Sequence, residues 1–115
     1  MSKMEIIQSL IENIPVLCVS GKIDAVTSKE LETALVGLIE QNKKFLIIDM
    51  EKVEFLSSSG LRVLMASLNK LKNKDGDLLL AALPPFVKDV FFMTGANRFF
   101  PIHVSRAEAI KSLQA

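Results

Sequence analysis

The sequence predicts an α/β fold with a mixed, mostly parallel β-sheet of about four to five strands and about four α-helices. Continuous apolar runs, such as residues 45–50, are typical of strands that are buried on both faces of a parallel sheet. These runs alternate with segments whose apolar residues recur at the helical spacing of three and four. A strand–helix–strand–helix order favours parallel neighbouring strands, because each helix carries the chain back across the sheet.

Length and composition indicate one globular domain, which we expect to span residues 1–115. Half of the residues are hydrophobic, which argues against disorder, and the formal net charge of +1 offers no electrostatic footprint for nucleic acid. No apolar run reaches the roughly 18 residues that a membrane span requires, and the first residues lack the pattern of a signal peptide. We therefore expect a cytoplasmic protein without membrane insertion.

The first third of the chain predicts two strands and a helix. We expect an edge strand at about residues 3–11, a second strand at residues 14–19 and a loop at residues 21–24. Thr27, followed by Glu30 three residues later, fits a capping box at the start of the helix. The predicted apolar stripe of this helix comprises Leu31, Ala34, Leu35, Leu38 and Ile39.

Three consecutive serines, Ser57, Ser58 and Ser59, precede Gly60 at the point where a second helical pattern begins. They follow the predicted central strand, and open α/β sheets bind ligands beyond the carboxyl ends of their strands. One interpretation is a switch serine that carries phosphate, since a helix N-terminus favours an anion. The other is an ordinary N-cap serine with two polar neighbours.

The helix after the serines has an apolar inner face, and its outer face has two interpretations. Its predicted inner stripe comprises Leu61, Leu64, Met65, Leu68 and Leu71. Val63 and Ala66 fall outside that stripe, on a face that suits either partner docking or simple exposure.

The last third predicts two short strands, each followed by a helix. The strands are expected at residues 78–83 and 99–104, the second of them at an edge because it contains Pro101. One helix starts at the pair Pro84-Pro85 and ends at Gly95, and the other is opened by a capping box of Ser105 and Glu108. Phe92 and Met93 are expected to be partly exposed, as a second contact patch.

Features of an enzyme are scarce in this sequence. The only histidine, His103, lies far from the serines along the chain, in a predicted strand. There is no Cys/His spacing typical of a metal site and no glycine-rich phosphate loop. We therefore predict no catalytic residues, no metal and no cofactor. Asp24 either bonds within its own loop or flanks the serines in space.

The motifs described above resemble those of STAS domains, and most closely those of stand-alone bacterial anti-sigma factor antagonists. The resemblance extends from about residue 14 to residue 113. It lies in Gly-Lys-Ile-Asp at residues 21–24, Leu-Ile-Ile-Asp at residues 46–49 and Phe-Leu-Ser-Ser-Ser-Gly-Leu at residues 55–61.

The resemblance implies a phosphorylation switch. The serine before the glycine, here Ser59, is the residue that an anti-sigma factor with serine kinase activity would phosphorylate. The unphosphorylated form would bind the anti-sigma factor and release a sigma factor, and a serine phosphatase would restore it. Family members often carry an acid at the position of Ser57, and this departure leaves Ser57 and Ser58 as alternative acceptors.

The same resemblance places Asp24 beside the site and suggests a partner-binding surface. Its expected members are Asp24, Ser57, Ser58, Gly60, Leu61, Arg62 and Val63. We expect a monomer, with weak dimerisation as the alternative. The alternative function is a constitutive STAS binding subunit of a multi-protein complex, either stress-sensing or transporter-associated.

Overall fold

A computed structural model describes residues 4–114, which form five strands and four α-helices around one sheet. In chain order the elements are β1 (Met4–Ile11), β2 (Ile14–Ile23), α1 (Thr27–Glu40), β3 (Phe45–Leu56), α2 (Ser58–Lys72), β4 (Asp77–Ala81), α3 (Pro85–Thr94), a 3₁₀ turn (Ala96–Arg98), β5 (Ile102–His103) and α4 (Arg106–Ser112).

The strands lie in the order β1-β2-β3-β4-β5. β1 pairs antiparallel with β2, and every other neighbouring pair is parallel. This confirms the predicted mixed, mostly parallel sheet. β3 is the central strand, with β1 and β2 on one side and β4 and β5 on the other. Its residues Leu46, Ile47 and Ile48 are fully buried.

The two faces of the sheet are covered unequally. The first three helices pack on one face and enclose the larger core, to which α1 contributes Leu31 and Leu35 and α2 contributes Leu64 and Leu68. The opposite face carries a small second core, in which Ala109 of α4 meets residues of β2, β3 and β4. The apolar stripes predicted for α1 and α2 are confirmed.

β2 and β3 both extend beyond the predicted ends. The predicted loop at residues 21–24 is wrong in its first part, because β2 continues to Ile23. β3 likewise continues from residue 50 to Leu56. The two extensions pair with each other, with Ile23 opposite Leu56, whereas β4 pairs only with residues 45–49 of β3. The pairing shifts register twice, once on each side of residues 20–21 of β2, and at each shift β3 has one extra residue.

The predicted strands at residues 78–83 and 99–104 are both too long. β4 ends at Ala81, because Ala82 adopts a left-handed conformation (φ 56°) that turns the chain away from the ladder. β5 contains only Ile102 and His103. The preceding residues form the 3₁₀ turn and then insert Phe100 into the larger core, where its ring meets that of Phe91 edge-on at 5.6 Å.

The capping box predicted for α1 is wrong. Thr27 is the first helical residue and is buried, and its Oγ1 donates a hydrogen bond to the Lys22 carbonyl oxygen (2.7 Å). Asp24 takes the capping role instead, since its Oδ1 accepts from the N–H groups of Val26 (3.0 Å) and Thr27 (2.9 Å). The capping acceptor is therefore Asp24, three residues before Thr27, and Thr27 Oγ1 in turn accepts from the Asp24 N–H at 2.8 Å.

The other predicted helix ends are confirmed. Ser105 caps α4, with its Oγ accepting from the Glu108 N–H at 3.1 Å. Gly95 ends α3 in the left-handed conformation (φ 78°). Phe92 and Met93 are exposed, as predicted. Within residues 4–114, no helix combines the length and apolar character that crossing a membrane requires.

Candidate functional site

The site lies where the extended ends of β2 and β3 meet the start of α2. β3 leads into α2 through a single residue, Ser57. The Ser57 N–H donates to the carbonyl oxygen of Ile23, the last residue of β2, at 2.9 Å. The strand extensions therefore fix the position of the helix N-terminus, which stands beyond the carboxyl ends of two parallel strands.

Ser57 is the N-cap of α2. Its backbone is extended (φ −84°, ψ 168°), and its Oγ accepts a hydrogen bond from the Gly60 N–H at 3.1 Å. Its carbonyl oxygen accepts the first intrahelical bond, from the Leu61 N–H at 3.0 Å. The N-cap interpretation therefore holds for Ser57, whose half-buried hydroxyl already has a structural task.

Gly60 is buried against the ends of both strands. A Cβ atom at this position would lie 2.6 Å from Ile23 Cγ2 and 2.8 Å from Leu56 Cδ1, which is closer than van der Waals contact allows. Both neighbours are themselves buried. Glycine lets α2 approach the sheet closely, so Gly60 contributes to the site through the position of the helix, not through a side chain that faces a partner.

Ser58 and Ser59 occupy the first turn of α2 in different surroundings. Ser58 is exposed, whereas Ser59 is half-buried. Ser59 lies in a shallow groove of about 340 Å³ between α1 and α2. The residues that line this groove are Ala25, Ser28, Lys29, Glu32, Ser59, Arg62, Val63 and Ala66. Neither serine caps the helix, and both are accessible to an incoming protein.

Asp24 combines features of both predicted alternatives. Its carboxylate bonds within its own loop, as described for the start of α1. Its loop also follows directly on Ile23, the residue that bonds to Ser57. The structure thus brings the Asp24 loop to the serines while its side chain organises the first turn of α1.

The remaining predicted partner-binding residues differ in exposure. Arg62 is exposed and lines the groove. Leu61 and Val63 are half-buried and pack against the larger core, so each offers only part of its surface to a partner. Val63 also lines the groove, together with the exposed Ala66.

The α1 side of the groove was missed by sequence reasoning. Lys29 and Glu32 lie three residues apart on one face of α1, and the sequence pattern marks them only as polar positions. The only feature of the sequence that could have pointed to these residues is that they share one face of α1. A single sequence does not show that α2 packs beside this face.

His103 lies elsewhere in the fold. It is half-buried on β5, with its Nε2 3.4 Å from the Ser112 hydroxyl of α4. Among residues 4–114, no group of three or more histidine, cysteine, aspartate or glutamate side chains is arranged to hold a metal ion.

Comparison with known proteins places these features in context. The family model of the STAS domain matches residues 6–109. BtrV, a candidate anti-sigma factor antagonist of Bordetella bronchiseptica, is 27% identical over 106 residues, which are 92% of this chain and 91% of BtrV.

Solved structures show the same fold. An anti-sigma factor antagonist from Mycobacterium paratuberculosis superposes with a TM-score of 0.90 at 29% identity, covering 97% of this chain and 95% of that one. SpoIIAA of Bacillus, solved in unphosphorylated and phosphorylated forms, gives TM-scores of 0.83 and 0.76. The match covers 96% of this chain and 96% of SpoIIAA in the first form, and 95% and 99% in the second. At 20% and 19% identity, the likeness to SpoIIAA concerns the fold alone.

Proposed function

The chain belongs to the STAS domain family, and we propose that it is an anti-sigma factor antagonist whose binding is switched off by phosphorylation of Ser59. The names of BtrV and of the Mycobacterium paratuberculosis protein support the first part of the proposal. Its partner would be an anti-sigma factor with serine kinase activity, met in the cytoplasm, and a serine phosphatase would reverse the modification. The protein itself acts by binding and not by catalysis.

The position of Ser59 carries the proposal. Ser59 stands on the first turn of α2 within an open groove, so a kinase can reach its hydroxyl and a docked partner can cover it. Ser57 is less suited as an acceptor, because its Oγ caps the helix. Ser58 is exposed but is not among the residues that line the groove, which makes it the second choice.

The mechanism follows from the charge of phosphate. Phosphorylation adds about −1.5 to −2 charges at neutral pH. The free domain tolerates this charge, because the N–H groups and dipole of the α2 N-terminus face it. A partner with an apolar or acidic surface packed around the groove does not. Like-charge juxtaposition at an interface costs several kcal/mol, which corresponds to a loss of affinity of about a hundredfold or more.

Replacing Ser59 with aspartate tests the switch. Ser59→Asp should weaken binding of the anti-sigma factor about a hundredfold while leaving the thermal unfolding midpoint nearly unchanged. Ser59→Ala, the matched control, should bind like the wild type. Titration calorimetry and thermal unfolding measure the two quantities. Collapse of the fold in Ser59→Asp would instead assign Ser59 a structural task.

Peptide mapping by mass spectrometry, on protein isolated from its own cells under several stresses, assigns the acceptor. One phosphate on Ser59 supports the proposal, and phosphate on Ser58 or Ser57 moves the site. An unmodified serine cluster under every condition would contradict the switch and favour a constitutive binding subunit. The observation that favours a constitutive binding subunit is the serine at position 57, where the family often has an acid and where this chain uses the side chain as a helix cap.

A further inference from the structure

Two basic side chains, Arg62 of α2 and Lys29 of α1, line the groove that contains Ser59. Arg62 is three residues after Ser59, so the two side chains share one face of the helix. Helical side chains lean toward the N-terminus of their helix. The exposed guanidinium of Arg62 can therefore reach back over the turn that carries Ser59.

Lys29 approaches the same place from the other wall of the groove. Both residues lie in the first turn of their helices, because Lys29 is the third residue of α1 and Ser59 is the second residue of α2. Both helices follow parallel strands and pack on the same face of the sheet, so their N-termini open at the same edge. Two cations and the N-terminus of α2 therefore adjoin the groove, which has one acidic lining residue, Glu32. The N-terminus of α1 is already capped by the Asp24 carboxylate.

We infer that Lys29 and Arg62 hold the phosphate of phosphorylated Ser59 within its own domain. The guanidinium fork can donate to two phosphate oxygens, and the ammonium group adds a mobile point charge from the opposite helix. The inference rests on the proposed function only in taking Ser59 as the modified residue. It assigns a task to α1 that the STAS motif around the serines does not include.

This arrangement makes the modified serine part of a bridge between two helices. In the free domain the phosphate is neutralised locally, so the modification need not loosen the fold. Both cations are also withdrawn from any partner, because they become occupied within the groove. A carboxylate at position 59 is shorter and carries less charge than phosphate, so it reproduces the bridge only in part.

Phosphoserine installed at position 59 by genetic code expansion allows a direct test by ³¹P NMR. Neighbouring cations stabilise the dianion and therefore lower the second pKa of the phosphate. In otherwise wild-type protein this pKa should lie about one pH unit below that in the double variant Lys29→Gln/Arg62→Gln. Lys88→Gln, which removes an exposed lysine of α3, is the matched control and should leave it unchanged.

A further variant tests the sign of the effect. Glu32→Gln removes the acid from the groove and should lower the phosphate pKa further. All of these side chains are exposed, and thermal unfolding of the unphosphorylated variants verifies that each one folds. Equal pKa values in the wild type and the double variant would overturn the inference.

The same samples separate this inference from the proposed function, because installed phosphoserine needs no kinase. If Lys29 and Arg62 lower the phosphate pKa but the phosphorylated protein still binds the anti-sigma factor, the inference about these two cations holds and the proposed switch is overturned. If the phosphorylated protein releases the anti-sigma factor but Lys29 and Arg62 do not change the phosphate pKa, the switch holds and the inference is overturned.

Discussion

Gly60 lies where the start of α2 leaves no room for a side chain. Its Cα faces the side chains of Ile23 and Leu56, which end the two extended strands. Both side chains are buried and therefore have little room to move. The residue that follows Ser59 thus sets how closely the modifiable turn of α2 can approach the sheet.

Gly60→Ala should destabilise the protein by about 1–3 kcal/mol, because the added methyl group overpacks the strand ends. This loss should appear although alanine favours a helix over glycine by about 1 kcal/mol. Gly37→Ala in α1 is the matched control, since no atom lies within 4 Å of its added Cβ, and it should stabilise. Urea unfolding of both variants gives the comparison. A Gly60→Ala protein as stable as Gly37→Ala would mean that Ile23 and Leu56 yield easily.

For the three serines, the sequence predicted where they lie but not what each of them does. It placed the serines at the start of a helix, and the structure agrees. It could not say which of the three would cap, because that choice depends on where the strand stops. Since β3 runs to Leu56, Ser57 falls at the cap and Ser59 turns toward the groove.

At the scale of elements, α2 depends on its cap to begin at the right residue. Ser57→Ala removes the acceptor of the Gly60 N–H and should cost about 1 kcal/mol of unfolding free energy. Ser57→Asp retains an acceptor and should remain close to the wild type. Ser58→Ala, one residue further on, removes no cap and should be neutral. Chemical denaturation measures all three, and equal losses in Ser57→Ala and Ser58→Ala would contradict the capping role.

Helices were easier to predict than strand ends for a physical reason. An apolar stripe such as that of α1 reports its own buried face, so it can be recognised locally. The extension of β2 through Gly21 and Lys22 depends on β3 continuing beside it. In the matching extension of β3, exposed residues such as Lys52 and Glu54 give the sequence the polar character of a loop.

At the scale of the whole molecule, one ion pair fastens α4 to the sheet. Asp49, near the centre of β3, is buried, and its Oδ2 accepts from Arg106 Nη2 at 2.9 Å and Nε at 3.1 Å. Its Oδ1 accepts from the Glu51 N–H at 3.1 Å. The pair matters here because the apolar core beneath α4 is small.

Arg106→Gln should therefore destabilise the protein by about 1–3 kcal/mol, because it leaves the Asp49 carboxylate buried without its cation. The Arg106 side chain is 37% exposed, which keeps the expected loss below that of a fully buried pair. Lys72→Gln breaks the pair with Asp77 (3.2 Å), whose lysine is 54% exposed, and should cost at most about 1 kcal/mol. Guanidinium unfolding of the two variants measures their losses of unfolding free energy. Equal losses in Arg106→Gln and Lys72→Gln would contradict the prediction.

The hairpin between β1 and β2 offers a practical handle on the molecule. Glu12 and Asn13 form its two-residue turn in left-handed conformations (φ 52° and 68°), and both are exposed. The ten residues of β2 separate this turn from Ile23 by roughly 30 Å. A fluorophore attached at the turn would therefore report the slower tumbling of a complex by anisotropy while leaving the serine end of the domain clear.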